Sequence, residues 1–122
     1  KNRALKYRAD AIARTETVQS INRGEYMANK QLVEEGHVPR IAVTKEWDDT
    51  GDGRVRLTHK TMGKKYGKKK GIDLDEPFVS PTGSKLMHPG DSSLGAHADE
   101  IVHCRCRMHV RVDWLAGVAL LA

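Results

Sequence analysis

Two cysteines, Cys104 and Cys106, have the most specific chemistry of any residues in this sequence. They are two positions apart, so a disulfide between them would close a strained ring, and we expect both thiols to be reduced. Zinc binds cysteine sulfur and histidine nitrogen in mixed sets. The sequence therefore offers one candidate metal site, made of the two cysteines and His59, with His88 or His97 as a further ligand.

The same cysteines also fit a hydrophobic core, because residues 104–114 alternate strictly between two kinds of side chain. One set is basic or polar, and the other is Cys104, Cys106, Met108, Val110, Val112 and Trp114. A period of two predicts a strand with one buried face and one basic face. Unbridged cysteine is among the most buried residue types. We therefore expect core thiols, with no metal and no cofactor, and the zinc site is the alternative.

The positive charge of the chain is concentrated in one segment. The net charge is +5, and residues 53–72 contain eight Lys or Arg and no Asp or Glu, which leaves a net of −3 on the other 102 residues. A local run of lysines predicts contact with a polyanion, and without base-reading elements it would bind the phosphates of double-stranded DNA non-specifically. The predicted DNA-binding residues are Lys60, Lys64, Lys65, Lys68, Lys69 and Lys70. Two alternatives are a solvated loop and a loop that binds an acidic patch on another protein.

The elements that must position these residues begin with a helix over residues 3–35, which contain no proline. Ala4, Tyr7, Ala11, Val18 and Ile21 recur at three-four spacing and predict an apolar stripe. Arg14 falls inside the stripe, so we expect it to pair with a carboxylate, either in this chain or in another. Gly24 is a point where the helix could kink or split, and Gly36 is a plausible end.

The rest of the chain predicts strands near residues 40–47, 77–80, 84–87 and 104–114. In the first of them Ile41, Val43 and Trp47 share one face. Residues 63–71 predict a mobile loop, residues 81–83 predict the turn of a hairpin, and a short helix before Met62 stays open. The fold class is therefore α+β, with a long N-terminal helix packed on a small, mostly antiparallel sheet. We expect one domain over residues 1–122, helical to about residue 37.

Bulk properties add two expectations about where the chain works. No stretch approaches the roughly 20 apolar residues of a membrane-spanning helix, and the first ten residues lack the apolar core of a signal peptide. We therefore expect synthesis in the cytoplasm and no membrane partner.

Four groups of residues occur here in the order that they take in one known family. They are Ala13-Arg14-Thr15-Glu16; Lys45-Glu46-Trp47 followed by Asp52, Arg54, His59 and Gly63; Pro77-Phe78 followed by Pro81, Gly83 and Pro89-Gly90-Asp91; and Glu100-Ile101-Val102 before Cys104-Arg105-Cys106. Across about residues 8 to 107, the sequence resembles the C-terminal domain of phage Mu F-like minor head (head morphogenesis) proteins.

This resemblance implies a virion protein, not an enzyme, that acts near the portal in capsid assembly and in DNA packaging or delivery. Its partners would be portal protein, capsid or scaffold proteins and double-stranded DNA, in the inner head and, during assembly, the host cytoplasm. The motif residues would be structural and none catalytic: Arg14, Glu16, Asp52, Arg54, His59, Cys104, Arg105 and Cys106. Two departures stand out, since His103 replaces a usual Asn, and Arg56 and His59 stand where many relatives carry a metal-binding Cys-x-x-Cys.

Two other functions fit some of these residues. Glu16, Arg54, His59 and His103 could form a metal-independent nuclease or toxin-like site, with histidine as the acid or base and arginine on the phosphate. The cysteines with His59 could instead stabilise a zinc-dependent binding module.

Overall fold

The computed structural model of the chain describes residues 2–51, 56–101, 104 and 106–113. Its helices and strands, in chain order, are α1 (Asn2–Glu34), a 3-10 turn (Arg40–Ala42), β1 (Val43–Asp48), α2 (Leu57–Lys65), β2 (Ile72–Asp73), β3 (Phe78–Val79), β4 (Lys85–Leu86), α3 (Ala98–Ile101) and β5 (Arg107–Val112). A long helix therefore packs on a small antiparallel sheet, which confirms the predicted α+β class. Among the described residues, no helix has both the length and the apolar character needed to cross a lipid bilayer.

The main sheet has three antiparallel strands in the order β2-β1-β5. β1 and β5 pair along their full length, from Val43 opposite Val112 to Asp48 opposite Arg107. The predicted hairpin is confirmed, because β3 and β4 pair antiparallel and the Gly83 N–H donates to the Ser80 carbonyl at the turn. β2 was not predicted, since two residues are too few to show a period.

The core lies on the inner face of β1, where Val43 and Trp47 are buried as predicted. Phe78 of the hairpin stacks edge-on against Trp47, with ring centroids 5.2 Å apart. Ile41 was predicted to share this face, and that prediction is wrong, because it is 64% exposed. The chain forms the 3-10 turn before β1 begins, and this rotation buries Ala42 instead.

α1 is continuous through Gly24 and ends where the sequence predicts. Gly36 has a φ of 78°, the left-handed conformation that favours glycine after a helix. The His37 N–H donates to the Leu32 carbonyl and the Gly36 N–H donates to the Val33 carbonyl. These two bonds form a Schellman motif, which satisfies carbonyls that the helix end would leave free.

The face of α1 that packs on the sheet differs from the predicted stripe. Asn22 and Tyr26 are buried, and Val18 is half-buried against the core. Ala4, Tyr7 and Ile21 are exposed, and so is Arg14, so the predicted burial of this stripe with Arg14 inside it is wrong. The physical reason is that residues 3–10 extend beyond the sheet, and every one of them is exposed.

Asn22 fixes α1 to β5 through two hydrogen bonds. Its Nδ2 donates to the Cys106 carbonyl at 3.1 Å, and its Oδ1 accepts the Met108 N–H at 3.0 Å. Among the described residues β5 is the edge strand of its sheet, so its outward backbone groups have no strand there to pair with. One buried amide therefore replaces a neighbouring strand at this point of the edge.

Lys45 lies in the middle of β1, paired with Val110 of β5, and is fully buried. Its Nζ donates to the Met87 carbonyl at 2.8 Å and lies 4.8 Å from the centre of the Phe78 ring and 5.2 Å from that of Tyr26. Burial lowers the pKa of Lys45 from 10.5 to about 8, although the nearby Asp75 carboxylate acts in the opposite direction. A cation–π pocket with one carbonyl thus compensates only part of the lost hydration.

We expect the burial of Lys45 to make stability depend on pH above neutrality. The folded-state pKa of about 8 is lower than the unfolded value of 10.5, so the unfolded chain binds more protons between those values. The free energy of unfolding should therefore rise between pH 8 and 10.5 by about 3 kcal/mol from this group, and this group should add no slope below pH 8. Urea unfolding at a series of pH values measures the rise, Lys45→Met should remove it, and exposed Lys85→Met should retain it. An equal rise in Lys45→Met would contradict this origin.

We expect Asn22→Ala to be strongly destabilising. It leaves the Cys106 carbonyl and the Met108 N–H buried without their partners, and each unsatisfied group costs about 1–3 kcal/mol. The loss of unfolding free energy should be about 2–4 kcal/mol by chemical denaturation. Asn29→Ala is the matched control, because among the described residues that amide bonds to the Glu25 carbonyl within the same helix and not to the sheet. A cost below about 1 kcal/mol for Asn22→Ala would show that α1 does not depend on the clamp.

Candidate functional site

The most concentrated group of reactive side chains is a buried cluster of His59, Cys104 and Cys106. Their ligand atoms all lie within 4.8 Å of one another, and Cys104 Sγ is 3.8 Å from His59 Nδ1. His59 is 1% exposed and both cysteines are fully buried. The structure therefore brings His59 to Cys104, which lies 45 positions later in the chain, and to the neighbouring Cys106.

Three elements position the cluster. Cys104 and Cys106 lie just before β5, on the same face as buried Met108. His59 is the third residue of α2, and its ring packs against Trp47 of β1 with centroids 5.4 Å apart. The Trp47 N–H of the backbone donates to the Tyr66 carbonyl, so the end of α2 is tied to the same strand. The ring contact between His59 and Trp47 and the hydrogen bond from Trp47 to Tyr66 hold α2 against the cysteines.

Glu100 of α3 lies behind the histidine and is also buried. Its Oε2 is 3.4 Å from His59 Nε2, and neither atom has a hydrogen-bond partner among the described residues. His59 therefore directs one ring nitrogen toward sulfur and the other toward a carboxylate. Histidines that bind metals have this arrangement, because the carboxylate fixes the tautomer and orientation of the ring.

The two thiols have opposite acidities. A hydrogen bond from Cys106 lowers the pKa of Cys104, and His59 adds to this effect against the opposing effect of burial. The same hydrogen bond and burial raise the pKa of Cys106. Of the two thiols, Cys104 therefore loses its proton more readily, and Cys106 keeps its proton.

The predicted burial of both cysteines in the core is confirmed. Of the three candidate histidines, His59 joins them, whereas His88 packs beside Tyr26, with ring centroids 6.0 Å apart, and His97 is exposed. The sequence did not identify Glu100 as part of the site. It is the first residue of the Glu100-Ile101-Val102 motif, but a carboxylate on a four-residue helix has no periodic signal of burial.

The remaining motif residues are not brought to the cluster within the part of the chain that the structure describes. Arg14 and Glu16 are exposed on α1. Asp52, Arg54, His103 and Arg105 lie outside the described residues. Glu16 and His59, which the nuclease hypothesis combines, are therefore an exposed and a buried side chain on different elements.

The six predicted DNA-binding lysines form what we call the lysine surface, made of Lys60, Lys64, Lys65, Lys68, Lys69 and Lys70. Lys60 is half-buried and the other five are exposed. α2 continues through Gly63 to Lys65, so the prediction of a loop over residues 63–65 is wrong. Within the described residues, none of the six forms an ion pair with a carboxylate.

The backbone of the lysine surface is anchored to the core. Tyr66, between the lysines, is buried and its hydroxyl accepts the Val79 N–H. Gly67 approaches α2 so closely that a Cβ there would lie 2.2 Å from the Gly63 carbonyl oxygen. Only glycine fits this turn, which returns the chain from α2 toward β2. Mobility is therefore expected of the lysine side chains more than of their backbone.

The predicted basic face of β5 is, by contrast, neutralised by β1. His109 Nε2 lies 2.8 Å from Asp48 Oδ2, and Arg111 Nε donates to Glu46 Oε2 at 2.5 Å. These pairs line a cleft of about 350 Å³ that Lys68 also borders. Of these two basic groups, the lysine surface is therefore the more available to an external polyanion.

Comparison of the chain with protein-family models, with curated proteins and with solved structures finds no match in any of the three. What the chain does is therefore inferred from the geometry of its own residues and from the order of its motifs.

Proposed function

We propose that this chain is a structural and interaction domain of the Mu F-like minor head type, which acts in capsid assembly and DNA packaging or delivery near the portal. The observation that supports the proposal is the convergence of its separate motifs. Trp47 and His59, Phe78, and Glu100 and Cys104 come from three of the four motif groups, yet they lie in one continuous buried contact. Motifs that build one core are typical of a scaffold whose function lies on its surface.

The direct test of this proposal is binding to a portal protein from the same genome. The immobilised portal protein should retain the folded chain at physiological salt, and a capsid protein from an unrelated phage should not. Failure to bind portal, capsid and scaffold proteins from that genome would overturn the proposal.

The proposed DNA contact rests on the lysine surface. Five exposed ammonium groups, which have no carboxylate partner among the described residues, lie on the end of α2 and the turn after it. Tyr66 is the only aromatic residue among them and is buried, so it offers no stacking platform for a base. Contacts from such a surface reach phosphates and carry no sequence information.

We expect weak, sequence-independent binding to duplex DNA. If about half of the six lysines bind phosphate at once, the log-log salt dependence should have a slope of about −3. Changing Lys64, Lys65, Lys68, Lys69 and Lys70 together to Ser should weaken binding at least about tenfold, because the counterion release that drives it is lost. Fluorescence anisotropy with two unrelated duplexes measures both quantities, and the melting temperature should stay unchanged because all five side chains are exposed.

A charge-matched control separates this surface from general basicity. Changing the exposed cations Arg3, Lys6, Arg8, Arg23 and Lys85 to Ser removes the same charge elsewhere and should leave most of the binding. Equal losses in both quintuple variants would contradict a specific DNA surface. If an acidic protein partner is the true ligand, an excess of free duplex will fail to displace that partner.

A second candidate function, a zinc-stabilised binding module, is favoured by the buried cluster. Its donor set of two thiols and one imidazole fits zinc, and the unsatisfied His59 Nε2 faces a carboxylate that would orient the ring. Cys104, Cys106 and His59 would hold the ion, which would stabilise the fold and supply no chemistry of its own. The sequence-based expectation of no metal stays untested.

We expect about one zinc ion per chain after purification in zinc-containing buffer followed by desalting. At free zinc a hundred times the dissociation constant, stability should rise by about 3 kcal/mol, or roughly 10 °C in melting temperature. A chelator should reverse this rise, and His97→Asn should behave as wild type because His97 is exposed and outside the cluster.

The double variant Cys104→Ala with Cys106→Ala completes the zinc experiment. It should bind no zinc and melt at a temperature that the chelator does not change. The zinc module is ruled out if wild-type protein contains no zinc and neither zinc nor the chelator changes its melting temperature. The cysteines would then be core thiols, whose replacement costs about 1–3 kcal/mol through packing alone.

A further inference from the structure

The N-terminal half of α1 carries a stripe of exposed residues along one face. Positions 3, 7, 10, 14, 17 and 21 follow one another at alternating four and three residues, and all six are exposed. Tyr7 and Ile21 are the large apolar members, at 67% and 50% exposure. This spacing keeps one seam of a helix turned toward a second helix. The partner that fits the stripe is therefore helical.

The surface of the stripe also has a suitable shape. A depression beside it is lined, within the described residues, by Asp10, Ala13, Arg14, Thr17 and Val18. The first four of these occupy positions i, i+3, i+4 and i+7. Four residues in this relation form the hole that receives one side chain of a facing helix. Asp10 and Arg14 thus give the rim of the hole both signs of charge.

The order of charges along the stripe is complementary to itself in the antiparallel direction. Two copies of α1 can pack antiparallel around a two-fold axis that crosses the helix midway between residues 10 and 14. In that arrangement Asp10 of each copy faces Arg14 of the other. The same axis places Tyr7 opposite Thr17, and Ile21 opposite the aliphatic stem of Arg3. Two-fold contacts are reciprocal by symmetry, so one favourable pair occurs twice.

We propose that this chain forms an antiparallel dimer through residues 3–21 of α1, centred on two reciprocal Asp10–Arg14 ion pairs. The occupant of the stripe is a second copy, because the stripe supplies both charges of each pair at the required spacing. The lysine surface and the His59 cluster lie on other elements, so the dimer depends on neither proposed function.

A charge exchange tests the pairing. Sedimentation equilibrium of the whole chain should show a concentration-dependent monomer–dimer equilibrium. Asp10→Arg and Arg14→Asp should each weaken the dimer about tenfold or more, because like charges then face each other twice. The double variant restores opposite charges and should return the dissociation constant to within about threefold of wild type. Circular dichroism should show unchanged helix content, since both residues are exposed.

Two isoleucines provide the matched control. Ile21 lies on the stripe and Ile12 lies off it, at 50% and 53% exposure. Ile21→Ser should weaken the dimer and Ile12→Ser should not. The proposal is overturned by a protein that stays monomeric at the highest soluble concentration, by a double charge variant no better than the single ones, or by equal effects of the two isoleucine changes. A helix of another protein or another part of a longer chain would then be the occupant.

Discussion

The pairing of β1 with β5 is the constraint on which the other contacts depend. Six consecutive residue pairs fix the register, and a slip of one residue would turn Trp47 and Met108 to the outside. The same register places Cys104 and Cys106 over the first turns of α2 and presents the Cys106 carbonyl to Asn22. The cluster, the clamp and the charge pairs on the outer face thus follow from one strand alignment.

α2 connects the buried cluster with the exposed lysine surface. His59 lies on its inner side, and Lys64 and Lys65 lie near its end in solvent. The turn that follows is closed by Gly67 against Gly63, so a shift of the helix would move the lysines with it. A scaffold role for the cluster and a binding role for the lysines are therefore compatible parts of one element, because rigid support improves the placement of surface charges.

The features that could be predicted from the sequence are those with a local physical cause. The alternation through Cys104, Cys106 and Met108 is visible because a strand reverses its side chains at each residue, and Gly36 is visible because a helix end favours it. The burial of Lys45 and Glu100 could not be predicted, since their partners come from distant segments. Arg14 was assigned to a buried stripe because periodicity shows that a face is apolar but not what covers it.

The clamp at Asn22 also determines when the fold can form. The Asn22 side chain can form its two hydrogen bonds only after backbone groups 84 and 86 positions later in the chain have been synthesised. In the same way, β1 can pair with β5 only after β5 has been synthesised. At about 5–20 residues per second, roughly ten seconds of translation separate α1 from its partners. During that interval the inner face of α1 has no sheet to pack on. The later pairing of β1 with β5 joins strands from opposite halves of the chain, and such non-local contacts slow folding. The sheet of the described residues can therefore be completed only after β5 has left the ribosome.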